Sequence, residues 1–250
     1  MTRTAIILAA GYGSRLQALS ASKPLARLGA MSLIAIAVRQ AAAAGLRRVI
    51  VVTGHEAEAV EAELAMLDAE LGCEVRAVRI DDWSRPNGWS VIAGAEVVDG
   101  PFLLLMADHL FADGLLCRLA SQQLAQCDVI LATDRPDNPL VDPGDATWVA
   151  LDDAHKIVRI GKTIAPYDAV DCGAFLADAS LPAAIRTAIA EGKAGSLSDG
   201  MQVLADRGRA LALDIEGAWW IDVDDPRAHA LAEAEAGRHI ATLAREAENA

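Results

Sequence analysis

Short apolar runs alternate along the chain with amphipathic stretches of helical spacing. The run at residues 48–53 is continuously apolar, which is typical of a parallel strand buried on both faces. The pattern predicts strands over residues 5–8, 48–53, 74–80, 102–106 and 128–133, and helices over 32–44, 56–70, 89–98 and 115–126. This repeated βα order implies right-handed crossovers and therefore an α/β fold with a doubly wound, mostly parallel sheet.

The pattern changes after residue 133. A Pro/Asp-rich loop at residues 135–144 is followed by a predicted hairpin, with strands 147–151 and 156–160 around residues 152–155. Further elements follow as strands 170–177, 210–215 and 219–223 and helices 181–191, 197–207 and 226–248, the last with Pro226 in its first turn. Without a repeat or linker, we expect one domain over residues 1–250. It would comprise a first half (1–133), a second half (134–225) with a small β-rich lid, and a C-terminal helix (226–250).

The composition of the chain excludes some classes of binding partner. The 250 residues are 53% hydrophobic, which suits a folded domain with a full core, and the formal net charge of -13 argues against nucleic acid or an anionic membrane. No apolar stretch approaches the ~20 residues of a membrane span, and the first apolar run is too short for a signal peptide. The four cysteines are irregularly spaced, which favours reduced thiols in the cytoplasm.

A glycine-rich loop directly follows the first predicted strand. Gly11 and Gly13 allow the backbone to turn sharply and to approach a ligand closely, so that successive N–H groups can point at phosphates. Arg15 can neutralise the outer phosphates of a triphosphate, and Lys23 can reach the α-phosphate. The loop is neither a Rossmann fingerprint, which needs glycine where Leu16 stands, nor a Walker loop, which needs Gly-Lys-Ser/Thr. The predicted nucleotide contacts in this segment are Leu8, Ala9, Ala10, Gly11, Gly13 and Ser14.

Two carboxylates stand at the ends of buried strands. Asp108 follows the run 102–106 and Asp222 ends the run 219–222. Ligands of open α/β sheets bind at the carboxyl ends of strands, so both residues face the expected site. We expect Asp224 to cap the last helix, and His109 to pack or hydrogen-bond nearby without serving as a metal ligand or base.

The order Leu-Ala-Ala-Gly-x-Gly-x-Arg over residues 8–15, followed by Lys23-Pro-Leu, resembles the opening of the nucleotidyltransferases that activate sugar phosphates and alcohol phosphates. The usual proline before the lysine is Ser22 here, a departure that affects loop shape more than chemistry. The resemblance implies a Rossmann-like nucleotidyltransferase fold. It also implies Mg²⁺ held by Asp108 and Asp222, and magnesium's preference for few carboxylates plus phosphate oxygens and water fits that pair.

Seven further segments are similar, in order, to the CTP:inositol-1-phosphate cytidylyltransferase branch of that family, and they cover nearly the whole chain. The segments are residues 87–90, 106–109, 133–136, 144–147, 158–162, 170–175 and 220–224. The mild departures from the branch are Trp89, Ala107, Asp145 and Cys172.

The resemblance to this branch implies a reaction and further site residues. CMP would pass from CTP to a phosphorylated polyol, giving CDP-inositol and pyrophosphate when the acceptor is inositol 1-phosphate. Residues 1–133 would then bind the nucleotide and 134–225 the acceptor, with any membrane-embedded CDP-alcohol phosphotransferase a separate polypeptide. The implied base contacts are Thr53, Asn87, Gly88 and Ser90. Lys162 would bind the acceptor phosphate, Asp145, Asp171 and Arg135 could hydrogen-bond a polyol, and Gly173 would lie in the same acceptor pocket.

Other functions remain open from the residues alone. Within the class, the acceptor could be phosphocholine, which needs an aromatic cage that is not evident, or a sugar 1-phosphate. A non-catalytic nucleotide-binding subunit would be expected to lose Lys23 or a metal aspartate, and all three are present. A glycosyltransferase of the related A-type fold would favour Asp-x-Asp where Ala107-Asp108-His109 stands.

Overall fold

The computed structural model describes residues 2–16 and 20–247. The strands are β1 (Thr4–Ala9), β2 (Arg27–Leu28), β3 (Met31–Ser32), β4 (Arg48–Thr53), β5 (Glu74–Arg79), β6 (Phe102–Met106), β7 (His109–Phe111), β8 (Val129–Asp134), β9 (Trp148–Leu151), β10 (Ile157–Gly161), β11 (Ala169–Ala177), β12 (Ala210–Asp214) and β13 (Trp220–Asp222). The α-helices are α1 (Leu33–Ala43), α2 (Ala57–Leu71), α3 (Asn87–Ala95), α4 (Leu115–Ala120), α5 (Ser180–Ala190), α6 (Leu197–Asp206), α7 (Pro226–Glu235) and α8 (Ala241–Ala247).

The centre of the fold is a nine-stranded sheet. Strands β5, β4, β1 and β6 lie side by side and parallel, with the first strand in the middle as a βα succession requires. The long strand β11 runs antiparallel to β6 and connects it to β8, β9 and β10, while β12 pairs with β8. The doubly wound α/β sheet is confirmed, and the β-rich second half continues it rather than standing apart.

Two cores lie on opposite faces of the sheet because successive strand side chains alternate. In β1, Ala5 and Ile7 pack with α1, α2 and α4, whereas Ile6 packs with α3, α5 and α6 on the other face. Both faces are therefore covered, which explains the uninterrupted apolar runs of the parallel strands. The carboxyl ends of these strands remain open for a ligand.

A small antiparallel pair, β7 with β13, stands beside the carboxyl end of β6. It pairs Asp222 with His109, and the Val223 N–H donates to the Asp108 carbonyl at 2.9 Å. This pairing holds Asp108 and Asp222 close together, although they are 114 residues apart in the sequence.

Three helix predictions need correction. The helix predicted over 115–126 ends at Ala120, and the one predicted over 89–98 begins at Asn87. The single helix predicted over 226–248 is interrupted after Glu235 by a 3₁₀ turn, and Asp113 caps the next helix by accepting from the Ala241 N–H at 2.9 Å. Residue 248 lies outside the described residues.

Asp225, not Asp224, caps α7. The Asp225 side chain accepts from the Ala228 N–H at 2.7 Å, so the expectation that Asp224 has this role was wrong. Within the described part of the chain, none of the helices is both long and apolar enough to cross a membrane.

Candidate active site

The glycine loop forms one wall of a cavity of about 420 Å³ at the carboxyl end of β1. Gly13 has a φ of +60°, and a Cβ placed there would lie 2.3 Å from the Lys23 Cβ. Glycine is therefore required both for the turn and for the close approach to Lys23. The cavity is lined by all six predicted loop contacts, Leu8, Ala9, Ala10, Gly11, Gly13 and Ser14, and by Arg15, Lys23, Asn87, Ser90 and Asp108.

Lys23 is the central cation of the site. Its ammonium group pairs with Asp108, lies 2.5 Å from the Asp224 Oδ1 and lies 4.0 Å from the Asp222 Oδ1. Burial alone would lower the pKa of Lys23, but the three carboxylates outweigh burial and raise that pKa. The lysine is therefore permanently charged at neutral pH, as electrostatic stabilisation of a phosphoryl group requires.

Asp108, His109 and Asp222 form a compact group whose donor atoms lie within 4.8 Å of one another. The His109 Nδ1 lies 2.9 Å from the Asp108 Oδ1, and although burial opposes its charge, the two carboxylates raise the pKa of His109 to about 9. With a pKa raised in this way, His109 can donate from Nδ1 to the Asp108 carboxylate. Burial and the neighbouring Asp108 carboxylate raise the pKa of Asp222 to about 6.

Acidic groups that could hold a divalent metal therefore meet at the ends of β6 and β13. The Asp222 Oδ1 is buried and accepts no hydrogen bond from any described residue. A buried carboxylate oxygen without a donor is costly unless another ligand satisfies it, and hard divalent cations prefer such oxygens. The donor set thus fits a divalent cation bound by Asp108 and Asp222.

A second cavity of about 260 Å³ adjoins the first across Arg15, Asn87, Met106 and Asp224, which line both. Asp145 joins the two by pairing with Arg15 at 2.7 Å and with Lys162 at 2.5 Å. Burial opposes the charge of Asp145, but these two cations lower its pKa below the ordinary value. The predicted acceptor residues Lys162, Asp145, Asp171 and Gly173 all line this second cavity, together with Asp222.

Asp171 and Gly173 lie on β11 at the floor of the second cavity. The Gly173 N–H donates to the Asp171 Oδ1 at 2.7 Å, and burial raises the pKa of Asp171 to about 6. Gly173 has a φ of +77°, and a Cβ there would lie 2.4 Å from the His109 Cδ2. The glycine therefore allows the His109 ring, and with it Asp108, to sit against the sheet.

The structure separates the predicted base contacts into two groups. Asn87 and Ser90 line the first cavity, although the Asn87 Oδ1 already accepts from the Leu197 N–H at 2.9 Å. Thr53 is fully buried and donates to Glu61 at 2.7 Å, and a Cβ on Gly88 would lie 2.3 Å from the Gly195 carbonyl oxygen. The Thr53 side chain and the Cα of Gly88 therefore face packing partners, and neither residue lines a cavity, so a contact between either residue and the base stays a prediction.

Sequence reasoning missed the place of Asp224 in the site. Its carboxylate contacts both Arg15 and Lys23 and lines both cavities. The signal was present, because residues two apart in an extended segment point to the same side and Asp222 had already been assigned to the site. Trp83, Arg85 and Arg227 also line the cavities without having been predicted.

Comparison with known proteins agrees with this geometry. Residues 5–209 match the MobA-like NTP transferase domain family, so the chain belongs to that family. It is accordingly a nucleotidyltransferase, and its glycine loop, central lysine and strand-end carboxylates are the parts expected of one.

Particular relatives are similar over most of this chain. Proteins named bifunctional IPC transferase and DIPP synthase are 37% identical in Rubrobacter xylanophilus and 27% identical in Aquifex aeolicus, over 92% and 90% of this chain. The matches cover 51% and 50% of those relatives, so the chain spans about half their length. The CMP-5'-(3-aminopropyl)phosphonate synthase of Streptomyces rubellomurinus is 33% identical over 89% of this chain and 37% of its own length.

Solved structures share the fold. The inositol-1-phosphate CTP transferase from T. maritima superposes with a TM-score of 0.79 at 24% identity and covers 91% of each chain. A UDP-glucose pyrophosphorylase also superposes with a TM-score of 0.79, at 19% identity over 95% of this chain and 99% of its own. The similarity to the inositol-phosphate branch is confirmed, and the fold is shared with enzymes named for sugar nucleotides.

Proposed function

We propose that the chain is a magnesium-dependent cytidylyltransferase that transfers CMP from CTP to inositol 1-phosphate, giving CDP-inositol and pyrophosphate. The observation that carries the proposal is the meeting of two cavities at Asp224 and Arg15, with Lys23, Asp108 and Asp222 beside that junction. A nucleotide in one cavity and a phosphorylated acceptor in the other would bring their phosphates together there. The CMP in the name of the Streptomyces relative and the similarity to a solved inositol-1-phosphate CTP transferase support the choice of substrates.

On the nucleotide side, the residues supply charge and position. The N–H groups of the glycine loop and Arg15 would bind the β- and γ-phosphates, and Lys23 would contact the α-phosphate. Asp108 and Asp222 would hold Mg²⁺, which when bound neutralises charge that develops on the phosphate oxygens. Arg15 must then leave Asp145 and Asp224, because a triphosphate competes with both carboxylates for its guanidinium.

On the acceptor side, Lys162 would bind the phosphate monoester. The Lys162 side chain is 60% exposed and forms an ion pair only with Asp145 among the described residues. An incoming phosphate dianion can therefore replace Asp145 as its partner. A phosphate monoester is already ionised at pH 7, so its oxygen can attack the α-phosphorus in line without a general base. Pyrophosphate leaves on the opposite side, toward the glycine loop.

The lining of the second cavity favours a polyol as the acceptor. Asp142, Asp171 and Ser198 line it, and side chains of these types can hydrogen-bond a sugar-like hydroxyl. The aromatic rings that line it are those of Phe175, Trp220 and His109, and His109 stacks on Trp220 and hydrogen-bonds Asp108, so the three do not form the cage that a quaternary ammonium group requires. Inositol phosphate therefore suits the cavity better than phosphocholine.

The test is a matrix of kcat/KM values for four NTPs with several acceptors at fixed Mg²⁺, followed by pyrophosphate release. The acceptors are inositol 1-phosphate, glucose 1-phosphate, phosphocholine and 3-aminopropylphosphonate. We expect CTP with inositol 1-phosphate to be preferred by roughly 10- to 100-fold over UTP, since one unmet buried hydrogen bond costs about 1–3 kcal/mol.

Two other outcomes have distinct meanings. A preference for glucose 1-phosphate with another NTP would make the chain a sugar-1-phosphate nucleotidylyltransferase, in line with the fold it shares with UDP-glucose pyrophosphorylase. A preference for the aminoalkylphosphonate or phosphocholine would keep the use of CTP and replace the acceptor.

A further inference from the structure

Three aromatic rings that the mechanism does not use meet at the mouth of the nucleotide cavity. Tyr12 comes from the glycine loop, His55 from the turn after β4, and Trp83 from the loop before α3. The Tyr12 and Trp83 rings stack with centroids 5.8 Å apart and planes 13° apart, while His55 meets each of them edge-on at 4.6 and 5.0 Å. The three loops at this edge of the sheet are thereby tied together.

Trp83 is the ring of the three that lines the nucleotide cavity. It is also 37% exposed, although it is a large apolar side chain. Tyr12, which does not line the cavity, lies nearly parallel to the indole in a displaced stack, and His55 packs edge-on against the indole. The two neighbouring rings thus leave part of the indole accessible at the cavity that it lines.

The position of Trp83 is set by close packing as well as by the rings. A Cβ on Gly54 would lie 2.7 Å from the Trp83 Cβ and 2.9 Å from the Ala10 carbonyl oxygen. That carbonyl accepts from the His55 N–H at 3.0 Å, which links the glycine loop to the turn after β4. The indole is thus held at a fixed distance from the loop proposed to bind the triphosphate.

We propose that Trp83 is the stacking platform for the base of the bound nucleotide, and that Tyr12 positions it. The inference rests on the proposed function only in that the cavity binds an NTP, and it names the residue that contacts the base. Stacking on an indole is favourable for any base because each has a π-face, so Trp83 would supply affinity rather than a choice between bases. The choice of base would depend on hydrogen bonds elsewhere in the cavity.

Nucleotide binding without acceptor, measured by isothermal titration at fixed Mg²⁺, tests the inference. The ligands are CTP and inorganic tripolyphosphate, which carries the same phosphate chain without a base. We expect Trp83→Leu to weaken CTP about 10-fold or more, in the range measured for loss of one base–aromatic stack, and to leave tripolyphosphate unchanged. Trp83→Phe should fall between wild type and Trp83→Leu for CTP.

Trp89→Phe is the matched control. Trp89 lies six residues away, donates its Nε1–H to the Ala194 carbonyl at 3.3 Å, and lines neither cavity. Its ring lies 4.4 Å from the guanidinium of the cavity residue Arg85, and phenylalanine keeps an aromatic face for that contact. It should bind both ligands as wild type does. If Trp83→Leu does not fold, Trp83→Phe supplies a second readout, because CTP should quench less tryptophan fluorescence in it than in wild type.

Two results would overturn the inference. One is unchanged CTP affinity in Trp83→Leu. The other is an equal loss for CTP and tripolyphosphate, which would mean that the indole only supports the loop. If inositol phosphate proves not to be the acceptor but the preferred NTP still loses affinity in Trp83→Leu, the proposed function fails and the stacking role stands.

Discussion

Lys23 and Lys162 illustrate how the same residue type takes two roles through its surroundings. Lys23 is only 12% exposed and sits among three carboxylates, whereas Lys162 is 60% exposed and has one carboxylate partner. A buried cation with several carboxylate partners has little freedom to move toward an incoming ligand. Its fixed positive charge can, however, stabilise the negative charge that develops in a transition state. An exposed lysine with one partner can exchange that partner for a substrate phosphate.

Replacing each lysine by alanine should therefore change a different kinetic constant. Lys23→Ala should lower kcat by at least ~100-fold, the scale of one lost electrostatic contact in the transition state. Lys162→Ala should mainly raise the KM for the phosphorylated acceptor and leave the KM for the NTP almost unchanged. Steady-state kinetics with each substrate varied in turn measures both effects.

Lys193→Ala is the control for loss of a lysine, because Lys193 is exposed and lines neither cavity. It should behave as wild type. If Lys162→Ala instead weakens NTP binding alone, the proposed location of the acceptor beside Lys162 is wrong.

Among the secondary-structure elements, helix α3 connects the core to the site. Its first residue, Asn87, and Ser90 line the nucleotide cavity, and Gly94 in its last turn rests on the sheet. A Cβ on Gly94 would lie 2.7 Å from the Ile6 Cγ2 and 2.9 Å from the Val52 Cγ2, both on strands of the parallel core. The glycine sets how closely this wall of the cavity approaches β1 and β4.

Gly94→Ala should destabilise the protein although alanine is the better helix former by about 1 kcal/mol. Overpacking a core contact costs about 1–3 kcal/mol, because neither β-branched neighbour can move freely. In a chain of this size that loss lowers Tm by roughly 2–4 °C per kcal/mol, and thermal unfolding measures it. The expected cost is the overpacking penalty less the gain in helix propensity.

Gly237→Ala is the matched control in a helical segment. It lies in the 3₁₀ turn after α7, where the nearest atoms to its Cβ would be 4.0 Å away. No overpacking penalty should therefore arise, and because alanine has less freedom than glycine in the unfolded chain, Tm should stay constant or rise. A rise in Tm for Gly94→Ala as well would show that α3 does not rest on the sheet as described.

At the scale of the molecule, the sequence predicted the sheet, and most of the residues predicted for the site line the two cavities, because both features depend on local patterns. Apolar runs of strand length and a glycine loop after the first strand are visible along the chain. The break after Glu235 was not visible, because it depends on Asp113 capping the helix that begins at Ala241. The burial of Thr53 and the central place of Asp224 likewise follow from contacts between distant segments.

The charge of the site agrees with the acidity of the whole chain. Seven aspartates and five lysine or arginine residues line the two cavities, so carboxylates outnumber these cations even where phosphates are proposed to bind. The formal net charge of the chain is -13, and its field also repels a tetra-anionic nucleotide. A divalent cation on Asp108 and Asp222 would neutralise this local excess of carboxylates over cations. CTP and magnesium binding should therefore be strongly coupled.

Thermal unfolding of the whole protein tests this coupling. CTP with EDTA should leave Tm almost unchanged and Mg²⁺ alone should raise it slightly, whereas both together should raise it by more than the sum. At a ligand concentration of 100 Kd the stabilisation is about 2.7 kcal/mol, or roughly 5–10 °C for a chain of this size. Asp222→Asn should lose most of the magnesium-dependent part, because it removes one of the two proposed metal ligands while leaving the glycine loop in place. An equal shift from CTP in EDTA would mean that Lys23 and Arg15 bind the triphosphate without the metal, and the role proposed for Asp108 and Asp222 would fail.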